Sequence, residues 1–224
     1  MYVINFNRVS MFILFYINIL LYLYRLIKVI QNMTFADYLN ESTETKVQPK
    51  TKEELKQIIE DTIKEKGNEC DLNFIDTSLI TDMSDMFINS KFNGDISKWD
   101  VSNAKRMDYM FANSKFDGDI SKWDVSNVED MGYMFARSDF NRDISNWDVS
   151  NVERMDYMFH NSDFNRDISN WDVSNVEDMG YMFAESNFNR DISNWDVSNV
   201  KDMGGMFINS PLEDKPEYQP NFKD

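Results

Sequence analysis

FNRDISNWDVSNVEDMGYMFAES, Phe164 to Ser186, is the stretch that decides the fold. It recurs along the chain. Trp99, Trp123, Trp147, Trp171 and Trp195 stand at a constant spacing of 24 residues, and the chain has no other Trp. A fixed period of this length marks a solenoid, in which each repeat buries its apolar side only against its neighbours.

Within this copy, the spacing of Ile168, Trp171 and Val173 predicts a short strand, with Trp171 and Val173 on one face. Val176, Met179, Met182 and Phe183 follow at helical spacing. Ser174 with Glu177 reads as a capping box for that helix, and Ser126/Glu129 and Ser150/Glu153 repeat it. Phe188 and Ile192 return the chain to the next strand. The expected fold class is therefore an α/β repeat solenoid. Each 24-residue coil carries a short parallel strand and a short helix, and the strands stack at about 4.8 Å per coil.

Working outward, residues 71–210 carry the array, with a degenerate first copy at Leu72, Ile75 and Thr77. Before it, residues 51–70 read as an N-terminal capping helix. Thr51 and Glu54 form a capping box, Leu55, Ile58, Ile59, Thr62 and Ile63 form one stripe, and Gly67 suits a left-handed stop. Residues 33–50 are polar and read as a linker. Residues 211–224 hold three of the four prolines and read as a flexible tail, although Leu212 stands in the column of Phe188.

Residues 1–32 form a hydrophobic segment. A helix over residues 9–30 would be about 33 Å long, enough to span a bilayer. Three readings stay open for this segment. It is a membrane anchor, an over-extended start ahead of Met33, or a cleavable signal, although no small-x-small site follows it. MTFADYLNES, from Met33, resembles the short amphipathic leader of internal head proteins of large tailed phages.

Charge and composition exclude several classes. The 224-residue chain is 42% hydrophobic and 14% aromatic, enough for a packed core. Its net charge is −16, and residues 1–32 contribute +3 through Arg8, Arg25 and Lys28, leaving −19 on the rest. No nucleic acid is expected as partner, since phosphate binding needs a basic face. Cys70 and His160 are the only residues of their types, which argues against a Cys/His catalytic pair or a zinc site.

The repeated columns separate core from surface. The Met columns at 107, 131, 155 and 179 and at 110, 134, 158 and 182 read as core, as does the Trp column. Tyr109, Tyr133, Tyr157 and Tyr181 read as a partly exposed aromatic column. Asp95, Asp119, Asp143, Asp167 and Asp191 form one acidic column, and Asp100, Asp124, Asp148, Asp172 and Asp196 another. Stacked acids repel, so their pKa values should rise unless something offsets the charge. They read as turn-forming ladders, with calcium between coils as the functional alternative. Five equivalent carboxylate pairs argue against glycoside hydrolysis, since a catalytic site is normally singular. The exposed columns that vary between copies include 94/118/142/166/190 and 98/122/146/170/194. They place Arg142, Arg166 and Arg190, with the four tyrosines, on the expected interaction surface.

The pattern F-N-x-D-I-S-x-W-D-V-S-N-V-x-x-M-x-x-M-F, over residues 71–210, resembles the BspA-like leucine-rich-repeat surface protein family. KTKEELKQIIEDTIKEKGNECDLNFIDTSLITDMSDMF is similar to the leader that precedes such arrays. The resemblance implies a right-handed leucine-rich-repeat-like solenoid used for adhesion or protein binding, often at a cell surface, with no common catalytic residues. This chain lacks a lipoprotein cysteine near its start and a clear wall-anchoring tail. The expectation is a monomeric, non-enzymatic interaction or adhesion module without a cofactor, its partner a protein or another extended molecule, with a membrane involved through residues 9–30. A structural or virion-associated repeat protein is the alternative. The expected location is the membrane or cell surface if residues 1–32 are genuine, and otherwise soluble, cytoplasmic or virion-associated.

Overall fold

The structure, a computed structural model, describes residues 46–222. The hydrophobic segment 1–32, the alternative start at Met33 and most of the 33–50 linker lie outside the described residues. Residues 46–224 form a compact unit of their own. No helix among the described residues is long and apolar enough to cross a membrane.

The one α-helix among the described residues, α1, spans Lys52–Lys66. Thr51 Oγ1 accepts the Glu54 amide at 3.2 Å, and the Glu54 carboxylate accepts the Lys50 amide at 2.7 Å. Two otherwise orphaned donors are thereby satisfied, which fixes where the helix starts. Gly67 stops it with φ 87°, its amide returning to the Ile63 carbonyl at 2.8 Å. Leu55, Ile59 and Thr62 are buried, and Ile58 and Ile63 pack against the same core. On its polar side Lys52 pairs with Asp82 and Asp85, and Lys56 with Asp85 at 2.7 Å.

Residues 46–50 are not a linker. Val47 donates to the Phe74 carbonyl at 3.0 Å and accepts from Asp76 at 2.8 Å, and Pro49 is buried. Their polarity concealed a parallel bridge between Val47 and Ile75.

Successive repeats lie against each other in a 24-residue register. Met83, Asp85, Phe87 and Asn89 donate to the carbonyls of Arg106, Asp108, Met110 and Ala112, at 2.8–3.0 Å, and each later repeat does the same to the one after it. Parallel bridges link Asp82, Arg106, Asp130, Arg154, Asp178 and Asp202 in order. Between these donors, alternate amides turn inward: Met110 donates to the Met107 carbonyl at 3.2 Å and Ala112 to the Tyr109 carbonyl at 3.1 Å.

The inter-repeat ladder thus runs through the segment expected to be helical, Val176 to Phe183 and its equivalents. That segment is a succession of three-residue turns. Tyr181 inside it, with φ 54°, and Glu185 just beyond it, with φ 58°, are left-handed and incompatible with a continuing α-helix. The expected strand through Trp171 and Val173 is likewise a pair of turns, with Trp171 donating to Ile168 and Val176 to Val173. Ser174 does not cap a helix; its hydroxyl donates to Asp172 Oδ1 at 2.6 Å.

The core is a set of columns. Phe111, Phe135, Phe159 and Phe183 stack on one another, and Phe116, Phe140, Phe164 and Phe188 form a second stack beside them. Phe111 and Phe116 join the two stacks at 4.3 Å. The four Met residues of each expected core column are fully buried, and the five Trp are 3–5% exposed. Each indole Nε1 donates to a carbonyl of the preceding repeat: Trp99 to Leu72, Trp123 to Ile96, Trp147 to Ile120, Trp171 to Ile144 and Trp195 to Ile168. A buried polar group gains its partner at each level, so the Trp column sets register as well as volume.

Residues 211–222 are not a flexible tail. Leu212 is fully buried and ends the second Phe stack, and Tyr218 and Phe222 pack against the core. A 3-10 turn at Pro216–Tyr218 brings the Tyr218 carbonyl to the Ile192 amide at 3.0 Å. Lys215 Nζ donates to Asn189 Oδ1 at 2.7 Å. In earlier repeats that Asn oxygen accepts an amide of the following repeat, as Asn165 does from Asn189. The tail therefore supplies what a further repeat would have supplied on that side.

Candidate interaction surface

Tyr109, Tyr133, Tyr157 and Tyr181 form one continuous ladder. Neighbouring rings lie 4.4, 4.4 and 4.9 Å apart and within 14° of parallel. Tyr109 and Tyr181, at its two ends, are exposed, and the middle pair are half-buried. All four have left-handed backbones, φ 54–59°. In the same column Asp85 stands at one end, held by Lys52 and Lys56, and Gly205 at the other. A Cβ at Gly205 would lie 2.6 Å from Tyr181 Cε1, so the last ring lies against bare backbone.

A groove of about 380 Å³ runs along the ladder. Its walls include Tyr109, Tyr133 and Tyr157 and the left-handed Asn113 and Arg137, and Ala112 and Ala136 line it beside them. His160 replaces the small residue of that column and meets Tyr157 edge-on at 5.4 Å. Its Nδ1 is buried and has no hydrogen-bond partner among the described residues. Burial, the flanking phenols and the Asp156 carboxylate push the Tyr133 hydroxyl well above its usual pKa, and burial raises that of Tyr109. Both therefore stay neutral, as hydrogen-bonding groups rather than phenolates, at any ordinary pH.

The bridge column alternates acid and base from Asp82 to Asp178. Arg106 makes a two-pronged pair with Asp108, and Arg154 pairs with Asp156 at 2.8 Å. Asp156 is only 7% exposed and packs over Gly132, where a Cβ would come within 2.9 Å of its Oδ1. Burial raises its pKa despite the Arg154 guanidinium.

Arg142, Arg166 and Arg190 lie elsewhere. Each Nε donates to a carbonyl of the preceding repeat, that of Asp117, Asn141 and Asn165, at 2.8, 2.8 and 3.1 Å. Arg142 also pairs with the Asp117 carboxylate at 2.9 Å. Arg190 lines a shallow depression with Asp167 and Asp191, separate from the tyrosine groove. The arginines are exposed but serve as clasps between repeats, a role that column variability does not reveal.

The two Asp columns form turns. Asp95, Asp119, Asp143, Asp167 and Asp191 each accept the amide of the Ser two residues on, at 2.9–3.0 Å. Those amides hold the five carboxyls below their usual pKa, the opposite of what stacking alone would do. In the other column Asp100, Asp124, Asp148 and Asp172 accept both the amide and the hydroxyl of the following Ser. Among the described residues no three His, Cys, Asp or Glu side chains are grouped to hold a metal ion. Cys70 is buried and unpaired.

A family model described as "Mycoplasma protein of unknown function, DUF285" matches residues 53–162 and again 136–216. The two overlapping matches cover α1 and the array. No curated protein and no solved structure matches the chain. The matched span is most of the chain, and the chain belongs to this mycoplasma-type repeat family.

Proposed function

We propose that the repeats form a leucine-rich-repeat-like solenoid of the BspA-like kind, and that the chain is a non-enzymatic, monomeric protein-interaction or adhesion module. The tyrosine ladder and its groove are the binding surface. One observation carries this reading. Four consecutive repeats keep a bulky Tyr in a left-handed backbone, where Gly or Asn is cheaper by roughly 1 kcal/mol. Asn takes that conformation at Asn89, Asn113, Asn161 and Asn209, and Gly at Gly205. A strained residue retained at the surface points to use of its side chain. Rigid, stacked phenols offer contact area at small entropic cost, and their hydroxyls supply hydrogen bonds. The resemblance to surface repeat proteins supports the same reading.

The test compares the full chain with a Tyr133→Asn/Tyr157→Asn variant, each immobilised and offered labelled host-cell surface proteins. Proteins retained by the wild type are expected to be lost from the variant while the melting temperature changes little. Equal retention by both would exclude the ladder as the binding surface.

A further inference from the structure

The ladder between repeats is one-sided, and its last step is empty. In the preceding repeat Met179, Tyr181, Phe183 and Glu185 donate to Asp202, Gly204, Met206 and Ile208. In the last repeat the corresponding donors are the amides of Met203, Gly205, Phe207 and Asn209. Asn209 is taken by the Glu213 carboxylate at 2.8 Å. Among the described residues, the amides of Met203, Gly205 and Phe207 have no acceptor. The tail covers the Ile192 side of this repeat and leaves this side open. Met203 and Ile208, 44% and 42% exposed, flank it. Val197, Val200, Met203 and Phe222 help line a depression of about 390 Å³ alongside.

We infer that this edge is a docking site for an extended polypeptide segment that adds in parallel, with a basic residue opposite Asp202. Continuity with the inter-repeat interface sets the geometry, because alternate carbonyls of the incoming segment would meet the three amides as they do at every earlier step. Charge sets the register. Arg106 reaches back to Asp82 at 3.7 Å and Arg154 to Asp130 at 3.9 Å, each on the acid one repeat earlier. The column ends instead in two successive acids, Asp178 and Asp202. An arginine in the next place restores the alternation, whereas an acid there would face like charge directly across the bridge.

A labelled peptide of sequence KRMDYMFANSK, that of residues 105–115, is the probe, titrated into the full chain by fluorescence anisotropy. Its Arg→Glu counterpart, KEMDYMFANSK, is the control. Saturable binding is expected, weaker for the control by about tenfold or more. Asp202→Lys is expected to reverse that preference, Asp202→Asn, which keeps the turn acceptor, to narrow it, and Tyr133→Asn to leave it unchanged. No saturable binding by either peptide, a preference that survives Asp202→Lys, or loss of binding in Tyr133→Asn would overturn the inference. The Tyr133→Asn arm separates this edge from the tyrosine groove.

Discussion

Trp147 Nε1 donates to the Ile120 carbonyl at 3.1 Å, 27 residues upstream and one repeat back. Both groups are buried, so the bond fixes the rotation of one repeat on the next. Trp147→Phe keeps a ring in the core but removes the bond from the next repeat, leaving that carbonyl only its turn bond from the Trp123 amide at 3.2 Å. Losing one buried hydrogen bond costs about 0.5–1.5 kcal/mol, with a packing loss in addition. The urea midpoint of Trp147→Phe should therefore fall. A midpoint equal to the wild type would show that the indole bond does not hold the register.

Gly205 ends the tyrosine ladder with φ 65°. Gly205→Ala places a methyl group against the Tyr181 ring and strains the backbone, and should destabilise by about 1–2 kcal/mol. Tyr133→Gly moves the other way in one respect. It relieves a left-handed backbone while removing two ring contacts, so its net effect should stay within about 1 kcal/mol. Thermal melts of the two variants side by side test whether the ladder is held by packing or kept at a conformational cost.

The tail closes the array through Leu212, which is fully buried. Leu212→Ala should cost about 2–5 kcal/mol, as for other buried Leu truncations. A loosely attached tail would show no such effect in denaturant unfolding.

Five carboxyls, those of Asp95, Asp119, Asp143, Asp167 and Asp191, have lowered pKa values because Ser amides donate to them. A group depressed in the folded state contributes stability above its unfolded pKa, about 3.9 for Asp. That contribution is lost as pH falls through the folded value. Asp76, Asp82, Asp85 and Asp148 are lowered as well, whereas Asp156, raised by burial, acts in the opposite sense. The melting temperature should therefore fall as the pH drops below about 4. Asp143→Asn together with Asp167→Asn, which keep an acceptor but do not titrate, should flatten the fall.

Much of this was legible in the sequence. The 24-residue period placed the Trp, Met and Phe columns inside, and the Thr51–Glu54 pair marked the start of α1. The nature of the turns was not legible, because V-x-x-M-x-x-M-F faces inward equally well on a helix and on a run of three-residue turns. The difference lies in the backbone sign at Tyr109 and its equivalents, and Tyr does not advertise a left-handed conformation. Asn113, Asn161 and Gly205, at repeating positions, were the available signal. Arg142 and its equivalents looked like free surface because a clasp to a backbone carbonyl demands nothing of the neighbouring repeat's side chains. The tail looked loose because its prolines outweighed Leu212, which already stood in the Phe188 column.

Backbone hydrogen exchange measured residue by residue tests the stacked register most directly. The amides of Met131, Tyr133, Phe135 and Arg137 donate to the next repeat. They should exchange slowly, while those of Met203, Gly205 and Phe207 exchange much faster in the free chain. Equal protection at the two places, or fast exchange at Met131 through Arg137, would contradict the one-sided ladder on which the repeats are stacked.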